Sequence, residues 1–397
     1  MNSSDPRHFF ESDAAQSNRE RRDAKSKNKY GTPIALKSKI AAAALDPNSP
    51  SDSVFVAESV GSVRRINIDI DDTNMVYRGP SAPVTCVVVG GPQNETVFAG
   101  SWDKNIWSWN IETRRPGIKF VGHSDFVKAV ACAKISEKHV LISGGADKKI
   151  IVWDIATGSR LHTLQDSVTS MLAVQSLAID PIMSSGEELV VVSAGSDPHL
   201  RRWKVRLDGW EQLLDAAPAA PNVERRLLSV HETGVYKILF DRAGDEIDLW
   251  TASADGTARC LSRGKAFTTE DCLEHGDHVR AVGVTEQWII TAGRDEDLKC
   301  WDRTSGALYC ALEGHYDEVT DLVVLERGKG HDERLVSVSI DGTVRVWPLG
   351  KAGLDAAVEE QSKPPTNGAE TEPARVEEPN GMLTAEEEAE LAELMDD

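Results

Sequence analysis

The sequence predicts an all-β molecule in which one small antiparallel sheet is repeated and the copies close into a ring. Three observations lead there. An aspartate followed six residues later by tryptophan recurs as Asp103/Trp109, Asp147/Trp153, Asp197/Trp203, Asp295/Trp301 and Asp341/Trp347. A further copy, "TASADGTARCL", has Asp255 with Leu261 at the tryptophan position, and the successive aspartates lie 44, 50, 58, 40 and 46 residues apart. A period of this size marks a repeat architecture. Four residues before each aspartate stands a small or hydroxyl residue: Ala99, Ser143, Ser193, Thr251, Thr291 and Ser337. Around them run short strand-like segments broken by turn residues, as in "VYKILF", "IDLWTAS" and "TARCLS". A sheet this small cannot bury both faces alone, so neighbours must stack, and a ring leaves no exposed end.

Taken in chain order, residues 1–38 form a basic leader, expected to be mostly disordered. Within it "RERRDAKSKNK" at 19–29 holds six basic residues. That cluster reads as a nuclear-localisation signal or local RNA contact, or else as a solvated tail. Residues 39–348 form the ring. Its first copy, "VFVAESVGSVRRIN", has Gly61 at the aspartate position and no tryptophan. Little after Trp347 reads as a strand, so residues 27–38 are expected to supply the outer strand of the last sheet. Residues 349–382 read as a disordered acidic linker rich in Pro, Glu, Ala and Thr. In "LTAEEEAELAELMDD" Thr384 and Glu387 form a capping box, which predicts a short acidic amphipathic helix over 383–397. Leu391 and Met395 on one face of it are candidates for partner docking; a solubilising tail is the other reading.

The recurring polar residues pose a choice between catalysis and support. His123, His231, His275 and His315 precede the apolar strands that lead to the hydroxyl and the aspartate. A serine, a histidine and an aspartate suggest a hydrolase triad, but a triad needs one nucleophile beside one cleft, and several copies do not supply that. The expected structural tetrads are His123, Ser143, Asp147 and Trp153; Ser193, Asp197 and Trp203; His231, Thr251 and Asp255; His275, Thr291, Asp295 and Trp301; and His315, Ser337, Asp341 and Trp347. In each, the aspartate would accept from the imidazole and from turn amides, and the indole would donate to the hydroxyl.

This pattern resembles the WD-repeat family. The segments that carry the likeness are "GH…SGGADKKIIVWD", "GH…SVSIDGTVRVW", "TAGRDEDLKCWD", "SAGSDPHLRRW" and "AGSWDKNIWSWN". The resemblance implies a seven-bladed WD-repeat β-propeller and partner binding at the end of the ring where the aspartate turns lie. Trp102, Arg294 and Ile340 precede turn aspartates there and are candidate contacts. Trp210, in the long loop after the third tryptophan of the repeat, is another candidate.

Composition bounds the function. The chain of 397 residues is 40% hydrophobic and 27% charged, as soluble globular proteins are. No apolar run has the length of a membrane span, and the polar start "MNSSDPRHFFESD" lacks the apolar core of a secretory signal. Six cysteines without a CxxC pair suggest reduced thiols in an intracellular protein, nuclear or cytoplasmic. Of the net charge of −20, residues 40–348 keep −13 once the +4 of residues 1–39 and the −11 of residues 349–397 are set aside. An acidic body argues against direct nucleic-acid binding. No GxGxxG, P-loop, HExxH or GxSxG motif stands in suitable context, so no enzyme activity, cofactor or metal is expected.

The leading expectation is a non-enzymatic scaffold or adaptor for other proteins, monomeric within a hetero-complex. One alternative is a non-catalytic subunit of a nuclear RNA-processing or RNA-modifying complex, which the basic leader supports. Another is a substrate receptor of a cullin-RING ubiquitin ligase. Members with that role often carry Trp-Asp-x-Arg, whereas here Arg303 stands one position early and Ala156 stands where the arginine would be.

Overall fold

The computed structural model describes residues 13–166, 168–217, 220–242, 246–325 and 333–363. Seven antiparallel sheets, or blades, follow one another: residues 40–78, 84–121, 127–164, 174–229, 235–274, 279–312 and 319–348. The first strands of consecutive blades are neighbours around a central channel. Ile40–Leu45 of the first blade also adjoins Val319–Leu325 of the last, which closes the ring. The fold is the seven-bladed all-β propeller that the repeat predicts.

What holds the blades together is apolar packing at each seam. Seven buried clusters occupy the seven seams. At the closing seam Ile40, Val54 and Val56 of the first blade meet Val336, Val338 and Val344 of the seventh. Because each blade is covered on both sides, its second strand is buried over most or all of its length. Ser53–Glu58, Leu189–Gly195 and Trp288–Gly293 are buried throughout, and in Lys138–Gly145 only the first two residues are not. Such strands read as continuous apolar runs, so the period-2 alternation expected of every strand survives mainly in the first and outer ones.

The ring is fastened by its two ends. The strand Ile34–Ala35 pairs antiparallel with Thr343–Pro348 as the fourth strand of the seventh blade. Just before it, Gly31 has φ +66°, and a Cβ there would fall 2.6 Å from the Trp347 ring. Only glycine both adopts that backbone and leaves the indole its place. Asn28 adds a hydrogen bond from Nδ2 to the Gly314 carbonyl at 2.9 Å.

A helix stands on each flank of the ring. In the leader Asp13–Lys25 forms a helix, α1. Its Ala, Gln, Glu, Arg and Lys residues are good helix formers, and Arg22 and Lys25 in the last turn suit the helix dipole. The expected linker likewise begins with a helix, α2 (Lys351–Ser362), whose Leu354 is buried against Trp288 and Leu349. The predicted helix at 383–397, with Leu391 and Met395, lies outside the described residues. Among the described residues no helix is long and apolar enough to cross a membrane.

Candidate functional site

The repeated polar residues meet as four hydrogen-bonded chains. His123 Nδ1 lies 3.0 Å from both Asp147 oxygens, and its Nε2 lies 2.8 Å from Ser143 Oγ. Trp153 Nε1 donates to that same Oγ at 2.9 Å. His315 repeats this with Asp341 at 2.9 Å and Ser337 at 2.8 Å, and Trp347 donates to Ser337 at 3.0 Å. His231 joins Asp255 and Thr251, each at 2.8 Å. His275 turns its ring over, with Nδ1 2.8 Å from Thr291 and Nε2 2.9 Å from Asp295; Trp301 donates to Thr291 at 2.8 Å.

These are the distances of a hydrolase triad, and the surroundings make them structural. Ser143, Thr251, Thr291 and Ser337 are all 0% exposed, so no substrate reaches the oxygens. In three of the four chains an indole already occupies the hydroxyl oxygen. The electrostatics fit a brace. Burial opposes the charges on Asp147, Asp255 and Asp341, but hydrogen bonds from the histidines and nearby turn groups outweigh it. All three carboxyls sit below their usual range, Asp255 at about 2. Burial pushes the imidazoles of His231 and His315 down, against the pull of their carboxylates, which favours the neutral ring.

The fourth blade has no tetrad histidine, and sequence reasoning missed its replacement. Trp203 Nε1 donates to Ser193 Oγ at 2.8 Å. Asp197 is held instead by the buried Arg201, whose Nη1 lies 3.0 and 3.2 Å from its two oxygens. Arg201 Nε also donates to Asp166 at 3.2 Å. A signal was present: the residue four after the aspartate is basic in four copies, Arg201, Arg259, Lys299 and Arg345. In the fifth and sixth blades it ties back to the segment just before its own blade, Arg259 donating to the Val230 carbonyl and Lys299 to that of His275. In the seventh, Arg345 donates to the Tyr30 carbonyl in the N-terminal segment that leads into the closing strand. The second blade departs as well. Ala99 offers no hydroxyl, so Trp109 donates to the Arg78 carbonyl at 3.0 Å, and Trp107 serves Asp103 at 2.8 Å.

The aspartate turns face one end of the channel, and the mouth there is shaped by a second repeated device. The first strand of every blade carries a β-bulge after its first buried residue, between Ile40/Ala42, Val84/Cys86, Val127/Ala129, Val174/Ser176, Val235/Lys237, Val279/Ala281 and Val319/Asp321. A bulge re-aims the extra side chain. The seven bulged residues, Ala41, Thr85, Lys128, Gln175, Tyr236, Arg280 and Thr320, all line one cavity of about 620 Å3. Sequence reasoning missed them too, although Lys128, Tyr236, Arg280 and Thr320 each stand five residues after a tetrad histidine.

Trp102 and Ile340 line this same mouth. Trp102 is 46% exposed and stacks on Phe126 with ring centroids 4.9 Å apart. Arg294 does not join them. It is exposed and forks onto Asp277, with Nη2 2.9 Å from Oδ1 and Nε 3.2 Å from Oδ2. Trp210 sits on the outer rim, its ring edge-on to Trp203 at 5.7 Å. The basic leader is also engaged: Arg21 donates to both Glu296 oxygens at 2.5 and 2.7 Å, Arg22 to Asp317 at 3.0 Å, and Lys25 to Glu296 at 3.2 Å. Arg303, nearest to the ligase-receptor position, donates to Asp241 and to the Thr285 carbonyl. Among the described residues no cluster of His, Cys, Asp and Glu is placed to hold a metal.

Comparison with known proteins adds family and relatives. The WD domain, G-beta repeat, matches residues 72–110 and 306–348. The tRNA methyltransferase TRM82 WD40 domain matches residues 119–223, about a quarter of the chain. An uncharacterised WD repeat-containing protein of Schizosaccharomyces pombe is 32% identical over the whole of both chains. Transducin beta-like protein 3 of Mus musculus is 28% identical over 68% of this chain and 32% of its own length. Nuclear distribution protein PAC1 of Arthroderma otae is 24% identical over 72% of this chain and 54% of its own.

Proposed function

The chain belongs to the WD-repeat family, and on that premise we propose that it is a non-enzymatic scaffold that binds a partner protein at the bulge-lined mouth of the channel. The observation that carries this is the half-exposed Trp102, stacked on Phe126 and sharing the mouth with Ile340. A large aromatic held rigid at the surface gives contact area at little entropic cost, as interface anchors do. The buried tetrads keep the turn that carries Trp102's equivalents rigid, and the mouth presents side chains from every blade. In a pull-down of partners from cells, Trp102→Ala and Ile340→Ala should each lower recovery. For Trp102 the loss should be on the order of 2 kcal/mol, roughly thirtyfold in affinity. Unchanged recovery by both variants would sink the assignment.

A second reading is favoured by the match to the methyltransferase-associated domain over residues 119–223. In that reading the scaffold is the non-catalytic subunit of an RNA-modifying complex. Its leader helix contributes no free run of charge to RNA, because Arg21, Arg22 and Lys25 are engaged by carboxylates of the ring. The RNA would then be held by the partner. Co-purification of a methyltransferase subunit that survives ribonuclease treatment supports this reading; its absence from a stoichiometric complex removes it.

A further inference from the structure

The mouth has two unlike halves. On the side of the seventh, first and second blades its bulged residues are small, Ala41, Thr85 and Thr320. The apolar Trp102 and Ile340 line that side, with Phe126 from the loop into the third blade stacked on Trp102. The third to sixth blades instead contribute Lys128, Gln175, Tyr236 and Arg280. Arg280 lies over the Tyr236 ring at 4.2 Å and pairs with Glu318 at 3.2 Å. Deeper in the channel Lys237 pairs with Asp321 at 2.7 Å. Lys128 differs from both. Its ammonium donates to the neutral Gln175 amide oxygen at 3.4 Å, and among the described residues no carboxylate lies within ion-pair distance of it. Burial and the nearby Arg280 charge push its pKa down, against a weaker pull from Asp125. A half-buried cation beside a second cation is a place where an arriving anion gains most.

We propose that this mouth binds a peptide segment of the partner that carries an acidic side chain next to a bulky apolar one. The carboxylate reaches down to Lys128 and Arg280, and the apolar side chain lies against Trp102, Phe126 and Ile340. The proposal rests on the reading of this mouth as the partner-binding end and names the partner's chemistry. A peptide fits better than a nucleic acid for an electrostatic reason. The cationic pocket is confined, and of the acids in the loops that lead into the first strands of the third, sixth and seventh blades, Asp277, Asp317 and Glu318 already hold Arg294, Arg22 and Arg280. One carboxylate is met by Lys128 and its neighbour Arg280, whereas a run of phosphates would have to displace several of those pairs.

The test is fluorescence anisotropy at low salt with the full chain and a fluorescein-labelled Gly-Leu-Glu-Phe-Glu-Leu peptide. Its Gln counterpart and hexauridylate serve as the other probes. The Glu peptide should bind at least about tenfold more tightly than the Gln peptide. Lys128→Met should abolish that preference without lowering the melting temperature, and Arg280→Gln should reduce it. Trp102→Ala should weaken both peptides alike. A preference that survives in Lys128→Met, or no preference at all, overturns the proposal. So does hexauridylate binding more tightly than the Glu peptide. If the preference holds but Trp102→Ala changes nothing, the anion pocket stands and the assignment of Trp102 to partner binding fails.

Discussion

His123, Ser143 and Asp147 show how little bond lengths alone say about chemistry. The same three distances that activate a nucleophile in a cleft brace a turn when the hydroxyl is buried and shared with an indole. His123→Ala or Asp147→Ala should each cost about 1–3 kcal/mol of stability, as unmaking a buried hydrogen-bonded network usually does. Equal melting temperatures for both variants and wild type would refute the brace. Arg201 should be more sensitive. Removing it leaves Asp197 and Asp166 without their shared cation in a buried site, and Arg201→Ala should cost about 3–5 kcal/mol. A chemical denaturation midpoint within error of wild type would contradict that. The histidines also give the ring a pH dependence. The folded state holds His231 and His315 below the ordinary imidazole value of 6.5, so the unfolded chain takes up protons first. Their contribution is complete above about pH 6.5 and is lost as the pH falls below it. A second loss follows below the ordinary carboxyl value of 3.8, as the pH falls toward the Asp255 value of about 2. Melting temperature should therefore fall between about pH 7 and about pH 5, and His315→Gln should flatten part of that slope. A slope unchanged by the substitution would show that other groups set it.

At the scale of the element, α1 is a polar helix held to the ring by charge. Glu296 is 3% exposed and receives Arg21 on both oxygens, so this pair is better ordered than a solvent-exposed one. The ions of concentrated salt still compete for it. Arg21→Gln should speed amide exchange in residues 13–25 by about tenfold, the equivalent of ~1.4 kcal/mol. Molar sodium chloride should have the same effect on the wild type. Exchange that ignores both would mean that α1 is held by something other than these pairs. The first strands of the blades make the complementary point. Their bulges break the ladder at one place and turn one residue per blade into the channel, so a fixed frame carries variable chemistry.

The whole molecule depends on closure. The seventh blade has only three strands of its own, and Ile34–Ala35 completes it by pairing with Thr343–Pro348. Removing residues 1–36 would leave that strand as a bare edge and uncover Trp347 beside Gly31. The shortened protein should melt at a lower temperature and self-associate, and exchange in residues 343–348 should rise most. A monomer as stable as the full chain would show that closure resides in the seams alone.

Much of this was legible in the sequence because it repeats. The Asp-to-Trp spacing, the hydroxyl four residues before the aspartate and the histidine upstream announce one sheet built several times, and seven copies leave a ring as the way to cover every face. Arg201 and the bulged residues also had sequence signals, but these are visible only once the aspartate and histidine are aligned as fixed points. The rest could not be read locally. Trp102 and Ile340 stand 238 positions apart, and only ring closure brings them to one mouth. The leader's positive charge reads as free for nucleic acid until the fold sets Glu296 and Asp317 beneath it. The sequence by itself determined the repeated unit, because the tetrad hydrogen bonds and the strand pairings within a blade are, apart from the closing strand, short-range in the chain. Which charges are matched, and which cation is left facing an open cavity, was decided by the tertiary structure, because electrostatic partners are set by distance in space.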